Sequence, residues 1–501
     1  MLRPTPSGGS AFPRLNPSAF GPADEIAGLL GPWQERRHSR HRALAAALDD
    51  LAARGVLPAG GRLPAERALA AGLGVSRGTV VAAYDALVSR EIVVRRHGSG
   101  TYLRARATPA APPSTETSAT SLIERWLMHP DGVIDLTMTV VPTPDELPVF
   151  DLPARQLLDV VPSHGYAFDG LPSLRRAAAT HLGRQGASAT VEEVVITNGA
   201  QQAIALAAAC LLRPGDVVAV EAPTYPGAIA LFTRTGARIV PMATDDAGLR
   251  PDALAAVLQR HQPRLVYLMP TAHNPLGTVL PAGRREEVLR LTAAARVPVA
   301  EDLTQADIWY GDRPPPAALG AGDDAHVVVI GSTSKVLWGG LRIGWLRARG
   351  QLFARLSAAK AAHDFATSVP SQVLAAELLH NIDGDWLAGR RAHFDGRREA
   401  FGAMLRRALP AWRWREPDGG LGLWVDLGDV DSDRFVAVAA RHGVAVVPGT
   451  IAGPGDVGRH HLRLAFTLPE PMLATGVERL ALAWDAVGSG AIGTPFVPTP
   501  V

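Results

Sequence analysis

Apolar residues along this chain follow two rhythms. From about residue 121 to 487, short apolar runs alternate with longer stretches rich in Ala, Leu and Arg. The runs are VVI at 194–196, VVAV at 217–220, LVYL at 265–268, VPVA at 297–300 and VVVI at 327–330. Runs without polar alternation fit strands covered on both faces, and stretches such as 200–212 and 282–296 read as helices between them. The pattern predicts an α/β fold with a mostly parallel sheet. Upstream, over 34–104, the rhythm is helical. Ala43, Leu44, Ala47, Leu48 and Leu51 share one face of a first helix, closed by Gly55. Pro64 suits the first turn of a second helix over 65–71, and Gly72 and Gly74 make a tight break after it. Ser76 is a natural N-cap for a third helix over 77–90. Two β-like runs, 92–94 and 101–103, flank His97-Gly98-Ser99-Gly100 as a hairpin.

Other segments lack either rhythm. Residues 1–33 are rich in Pro, Gly and Ala and read as a mostly unstructured arm. Residues 105–121, ARATPAAPPSTETSATS, read as a linker of roughly 20–25 Å, and 488–501 as a loose tail. The expected organisation is therefore an arm, a small domain over 34–104, a linker, a large domain over 122–487 and a tail.

Composition narrows the class. The 501 residues are 47% hydrophobic and 20% charged, an ordinary globular balance that supports a large core and a second domain. Cys210 is the single cysteine, which excludes a disulfide framework. No stretch approaches about 18–20 uninterrupted apolar residues, so no membrane span is expected, and a cytoplasmic setting fits best. The net charge of +2 is unevenly spread. Residues 34–104 hold twelve arginines against six acids, a surplus of +6 that leaves −4 for the remainder. A local positive surplus is the footprint of a module that meets polyanions. Helices in this order followed by a hairpin are the layout of a winged helix-turn-helix, whose third helix enters a major groove.

The residues LPAERALA, GVSRGTV and the GSGT wing resemble the GntR-type DNA-binding domain. That resemblance implies that Arg67, Ser76, Arg77, Thr79, His97 and Gly98 face double-stranded DNA, with Arg62 a weaker candidate. Arg77 is the candidate for a base-edge contact, and the others hold phosphates.

The large domain carries an unusual choice of cation. Arg supplies nearly all positive charge, and only Lys335 and Lys360 are lysines. An arginine cannot act as an amine nucleophile, whereas a lysine can lose its proton and form a Schiff base. Lys335 follows an apolar run within HVVVIGSTSKVLWGGLRIGW, with Arg342 seven positions on. The run at 265–268 leads to Asn274, and that at 297–300 to Glu301 and Asp302. In open α/β sheets, ligands bind beyond the carboxyl ends of strands, so an amine, an amide and a carboxylate would share one crevice. The helix after Ile196-Thr197-Asn198-Gly199 begins in a position to hold a phosphate. These are the parts that pyridoxal 5′-phosphate requires.

The segments YAFDGLPSLR, TNGAQQAI, EAPTYPG, HNPLG, ED, STSK–LR and HLRLAF resemble, in order, the fold-type I pyridoxal phosphate enzymes of the class I/II aminotransferases. The resemblance implies an internal aldimine at Lys335, Asp302 against the pyridine nitrogen, Asn274 on the ring hydroxyl and Tyr225 stacked on the ring. Ala200 and Gln201 through their amides, Ser332 and Arg342 would bind phosphate. Tyr166 would reach it from the other subunit of a homodimer, and Arg463 would clamp an effector carboxylate. Taken alone, Tyr225 is also compatible with core packing, and Arg463 with a structural ion pair. One departure stands out: where such families place a Tyr two or three residues after the Asp, this chain has Thr304 and Gln305. A shorter, less acidic hydroxyl weakens the case for fast transamination more than the case for cofactor binding.

A GntR-type winged helix, a Pro/Ser linker and an aminotransferase-like domain together resemble the MocR subfamily of bacterial regulators. That implies a pyridoxal phosphate-dependent transcription factor that senses an amino compound, or the cofactor itself. An aminotransferase with an appended DNA-binding domain is the competing reading, and a binding protein that has lost the cofactor is a third.

Overall fold

The structure, a computed structural model, describes residues 26, 30, 39–53, 63–89, 92–96, 100–103, 132–141, 147–148, 164–322 and 324–489. The chain divides into two compact units, 1–116 and 117–501. His97, Gly98, Arg62, Gly55, the linker 105–121 and nearly all of the arm lie outside the described residues.

In the first unit, α1 (Arg40–Ala53), α2 (Glu66–Leu73) and α3 (Arg77–Ser89) precede a hairpin of β1 (Val93–Arg96) and β2 (Gly100–Leu103). Gly72 does not break α2 but lies inside it. The break is at Gly74, whose φ of 63° is the left-handed cap that glycine supplies, with its N–H bonded to the Ala70 and Ala71 carbonyls. Ser76 Oγ then accepts the Thr79 amide at 3.1 Å, satisfying a free donor of the first turn of α3. Leu44, Leu48, Leu69, Val80, Ala83 and Leu87 form the core, closed by Val93 and Leu103 of the hairpin. Buried Tyr84 satisfies its hydroxyl by donating to the Pro64 carbonyl at 2.9 Å.

In the second unit, β3 (Ile134–Asp135) and α4 (Pro172–Arg184) precede the sheet. Its strands, with the helices between them, are β4 (Val194–Thr197), α5 (Ala200–Leu211), β5 (Val217–Ala222), α6 (Pro226–Arg234), β6 (Arg238–Asp245), β7 (Gly248–Leu249), α7 (Pro251–His261) and β8 (Leu265–Leu268). They continue through α8 (Ala282–Ala295), β9 (Val299–Asp302), β10 (Val327–Ser332) and β11 (Gly344–Arg347). Among the described residues the sheet order is β4-β11-β10-β9-β8-β5-β6-β7. Strands β10, β9, β8, β5 and β6 run parallel, while β11 is antiparallel to both β10 and β4. The α/β class and the mostly parallel sheet therefore match the expectation. Strands β8, β9 and β10 are buried at every position, as the apolar runs of β8 and β10 require, and β9 buries the carboxylates Glu301 and Asp302 at its end. Two core clusters lie against the sheet, one around Leu174, Ile196 and Trp345 and the other around Ile204, Tyr267 and Leu356.

The chain ends with α9 (Gly350–Asp364), α10 (Val369–Asn381), α11 (Gly384–Ala408), β12 (Arg413–Trp414), β13 (Gly422–Asp426), α12 (Ser432–Arg441), β14 (Val444–Ala445), β15 (Val447–Pro448), β16 (His461–Ala465) and α13 (Glu470–Ser489). Strands β12, β13, β16 and β15 form a second sheet with its own core around Phe394, Phe401, Phe435 and Leu464. The first two residues of the expected tail belong to α13. No helix among the described residues is long and apolar enough to cross a membrane.

Candidate functional site

The carboxyl ends of β4, β9 and β10 open into one cavity of about 430 Å3. Lys335, Asp302, Asn274, Tyr225, Ala200, Gln201, Ser332 and Arg342 all line it. A larger crevice of about 960 Å3, beside Cys210 and Arg264, opens at the opposite strand ends and contains none of these residues.

Lys335 lies in a π-helical turn, Ser334–Trp338, directly after β10. Its Nζ donates to the Thr139 carbonyl at 2.8 Å. Burial first, and then the Arg463 charge, lower this ammonium to about 8, with Asp302 opposing. The lysine can therefore release a proton near neutral pH, as an amine nucleophile must.

Asp302 is the last residue of β9. Strand alternation sends its neighbour Glu301 away from the cavity, where it accepts the Leu319 and Gly320 amides at 2.7 and 2.8 Å. Burial raises the Asp302 carboxyl, while hydrogen bonds from Thr304 and Tyr267 and the Lys335 charge pull it down. Tyr267 donates its hydroxyl to Asp302 Oδ2 at 2.7 Å, and the Thr304 amide donates to Oδ1 at 2.9 Å. A carboxylate this deep calls for a cationic partner.

Opposite these groups is a turn shaped for an anion. Gly199, at φ 78°, precedes the first amides of α5, which have no partner within the helix. Arg342 Nη2 donates to the Asn198 carbonyl at 3.1 Å. The turn leaves no room for side chains at its base, since a Cβ on Gly344 would lie 2.6 Å from the Gly199 backbone carbon. Ser332 Oγ bonds the Ser334 hydroxyl at 3.0 Å and the Ile343 carbonyl at 3.1 Å. Tyr225 donates to Gln201 Oε1 at 3.0 Å, and burial raises its phenol, keeping it protonated as a donor.

Arg463, on β16, sits behind Asn274. Its Nη1 donates to Asn274 Oδ1 at 3.2 Å and its Nη2 to the Thr137 carbonyl at 2.5 Å. Nε is buried and finds no hydrogen-bond partner among the described residues. Burial brings the guanidinium down to about 10. Tyr166 is not brought to the cavity; it is 53% exposed, with its ring 5.8 Å from that of Phe365.

On the first unit, Arg67, Ser76 and Arg77 are exposed and Thr79 half-buried, and all four sit on α2, α3 or the turn between them. Arg77 donates to Glu66 at 3.2 Å, and Arg95 reaches the other oxygen of the same carboxylate at 3.4 Å. Ser76 and Thr79 bond each other through their hydroxyls at 2.9 Å.

Residues 161–480 match the family Aminotransferase class I and II, and residues 40–103 match Bacterial regulatory proteins, gntR family. The chain is 29% identical over 476 residues to the HTH-type transcriptional regulator YisV of Bacillus subtilis, covering 90% of this chain and 98% of that one. It is 30% identical over 453 residues to the HTH-type transcriptional regulator TauR of Rhodobacter capsulatus, covering 85% and 92%. The chain belongs to the MocR subfamily. As in other MocR-type regulators, a gntR-type DNA-binding domain is fused to a domain of the pyridoxal phosphate-dependent aminotransferase fold. That fold is shared with LysN, the alpha-aminoadipate aminotransferase of Thermus thermophilus, solved with N-(5′-phosphopyridoxyl)-L-leucine (TM-score 0.66, 28% identity, 75% of this chain and 97% of LysN).

The residues of this MocR-type chain fit the cofactor. A carboxylate in need of a cation, a lysine with a depressed ammonium and the N-terminus of α5 face one cavity, and a buried guanidinium sits behind its Asn274 wall. Two contributors escaped the sequence reading. Tyr267 lies in an unbroken apolar strand, where only its phenol distinguished it from core packing. Thr139 lies 196 positions from Lys335 in a segment with no motif of its own.

Proposed function

We propose that this chain is a DNA-binding regulator that holds pyridoxal phosphate at Lys335 and reads an amino compound, or the cofactor itself, in the same cavity. The observation that carries this reading is the convergence of Lys335, Asp302 and the Gly199 turn on one cavity, in a chain whose other unit is a gntR-type module. Bound there, pyridoxal phosphate supplies an aldehyde that condenses reversibly with amines. Asp302 holds the ring nitrogen protonated, Asn274 bonds the ring hydroxyl and Tyr225 covers the ring face. Ala200, Gln201, Ser332 and Arg342 hold the phosphate. Arg463 offers its free Nε to the effector carboxylate, for which a guanidinium is suited. With the cofactor bound, an effector amine that took its carbonyl would leave the Lys335 amine free. A freed Lys335 changes the charge and packing of the cavity wall, a local change able to bias two conformations of different DNA affinity.

The domains extend over 34–104 and 122–487, joined by the linker 105–121, and the protein acts in the cytoplasm. It works as a homodimer in which Tyr166, exposed in its own subunit, completes the phosphate site of the partner. Two winged helices then meet two operator half-sites, with Arg67, Ser76, Arg77, Thr79, His97 and Gly98 against the DNA.

A panel of amines tests this reading when the visible absorbance of the bound cofactor and operator affinity are recorded in the same samples. The expected result is that those amines that shift the absorbance also shift operator affinity. Absorbance shifts with no change in operator affinity would refute sensing. The same Lys335, Asp302 and Arg463 also equip an aminotransferase. Robust turnover of a keto acid with an amino donor by the full chain would favour that reading, and stalled exchange favours the sensor.

A further inference from the structure

The second lysine of the chain also has a structural context. Lys360 is fully buried on α9, outside the cavity lining. Its Nζ pairs with Asp364 one turn on, at the last residue of α9. Asp364 Oδ2 accepts Nδ2 of Asn198 and Nε2 of Gln202, each at 2.7 Å. Gln202 Oε1 accepts the Asn198 amide at 2.8 Å, and Arg342 donates to the Asn198 carbonyl. Asn198 is thus held through its amide, its carbonyl and its side chain. The next residues are Gly199 and Ala200, the anion-binding turn itself. Leu356 of α9 shares a core cluster with Ala203 and Ile204 of α5, so the ion pair is anchored to the helix that the turn begins.

This arrangement is poorly explained by stability. A buried ion pair adds little over well-packed apolar side chains of the same volume. A carboxylate in the last turn of a helix opposes the helix dipole. The following residue, Phe365, takes φ 61°, a conformation that side chains with a Cβ avoid and that strained functional segments retain. Features that cost stability and converge on one turn point to a requirement for geometry there.

We propose that Lys360 and Asp364 are positioning residues that fix the turn at Asn198–Gln201 for the cofactor phosphate, an inference that rests on the cavity reading above. Lys360 orients Asp364, Asp364 orients Asn198 and Gln202, and these aim the first amides of α5. Neither residue lines the cavity.

The test compares two ligands on the full-length protein: pyridoxal phosphate, and pyridoxal, which keeps the aldehyde and ring but lacks the phosphate. Lys360→Met should weaken pyridoxal phosphate binding about tenfold, the scale of one hydrogen bond to a charged group, and leave pyridoxal affinity unchanged. Asp364→Asn, at a partly exposed position, should show the same selective loss and provides the answer if Lys360→Met does not fold. Lys360→Arg, which restores the charge, should recover part of the loss. Equal weakening of both ligands would reveal a merely structural role and overturn the proposal, as would no weakening of either. A wild-type protein that binds neither ligand would instead overturn the cavity reading, and this proposal with it.

Discussion

The two candidate sites of this chain use charge in opposite ways. In and behind the cavity wall, Asp302 and Arg463 are buried and Lys335 is largely enclosed, and burial is the first cause of each displaced ionisation. On the helix-turn-helix, Arg77 is 56% exposed and shares Glu66 with Arg95 across a solvated face. Exposed pairs contribute little and are screened by salt, whereas enclosed groups are shielded from ions and sensitive to protons. The comparison teaches that cofactor chemistry should respond to pH, and DNA binding to ionic strength. Conditions that move one site should leave the other nearly still.

The largest effect expected is on the cavity alone. Lys335→Ala removes the only amine that lines it among the described residues, so the visible absorbance of bound pyridoxal phosphate should vanish, read by spectroscopy after dialysis. An unchanged spectrum would move the attachment elsewhere, with Lys360 the one other lysine. Next in size is salt. Phosphate contacts release counterions, so a module making six to ten of them loses roughly 10³–10⁵ in affinity between about 50 and 200 mM salt. Operator affinity measured by anisotropy across that range should fall on this scale while cofactor uptake barely changes. A flat salt response would erase the contrast between the sites.

Much of both sites was readable because local rules governed them. The Ser76 cap, the break at Gly74 and the apolar runs of β8 and β10 depend on near neighbours in sequence. The placement of Lys335, Asp302 and Asn274 in one crevice followed from a rule about strand ends. What remained hidden was long-range. No local pattern reveals that β11 inserts antiparallel between β4 and β10, because register and order are set by distant pairing. Nor could apolar periodicity show that Tyr267 would hold Asp302, or that Asp364 would reach back 166 positions to Asn198. Gly72 carries the same composition signal as Gly74 yet lies inside α2, and the left-handed φ of Gly74 is what marks the break.

Proton dependence sharpens the comparison from the cavity side. Lys335 titrates at about 8 when folded, below its ordinary 10.5. Between these values the unfolded chain binds more protons, so this group makes stability rise with pH across that window. Below about pH 8 the folded chain carries the enclosed ammonium at its full cost, roughly 3 kcal/mol. Without cofactor, Lys335→Met should therefore be the more stable protein at about pH 7, with its advantage shrinking toward about pH 10. Urea midpoints of both proteins over that range measure the effect. A difference independent of pH would mean that Lys335 lies in water and that the cavity does not tune it.

The smallest effect expected lies on the exposed side. Arg77 begins α3 and shares Glu66 with Arg95, which also pairs with Asp85 at 2.6 Å. An exposed pair of this kind is worth less than about 1 kcal/mol, so Arg77 can leave Glu66 for DNA at little cost. Glu66 keeps Arg95 as a partner when it does. Arg77→Ala should then weaken specific operator binding by roughly 1–3 kcal/mol, with a smaller change on random DNA, because a base-edge contact carries discrimination and a phosphate contact does not. Equal losses on both DNAs would assign Arg77 to the phosphate backbone. A wild type that binds operator and random DNA alike would undo the regulator reading, leaving a basic helical module without a sequence to read.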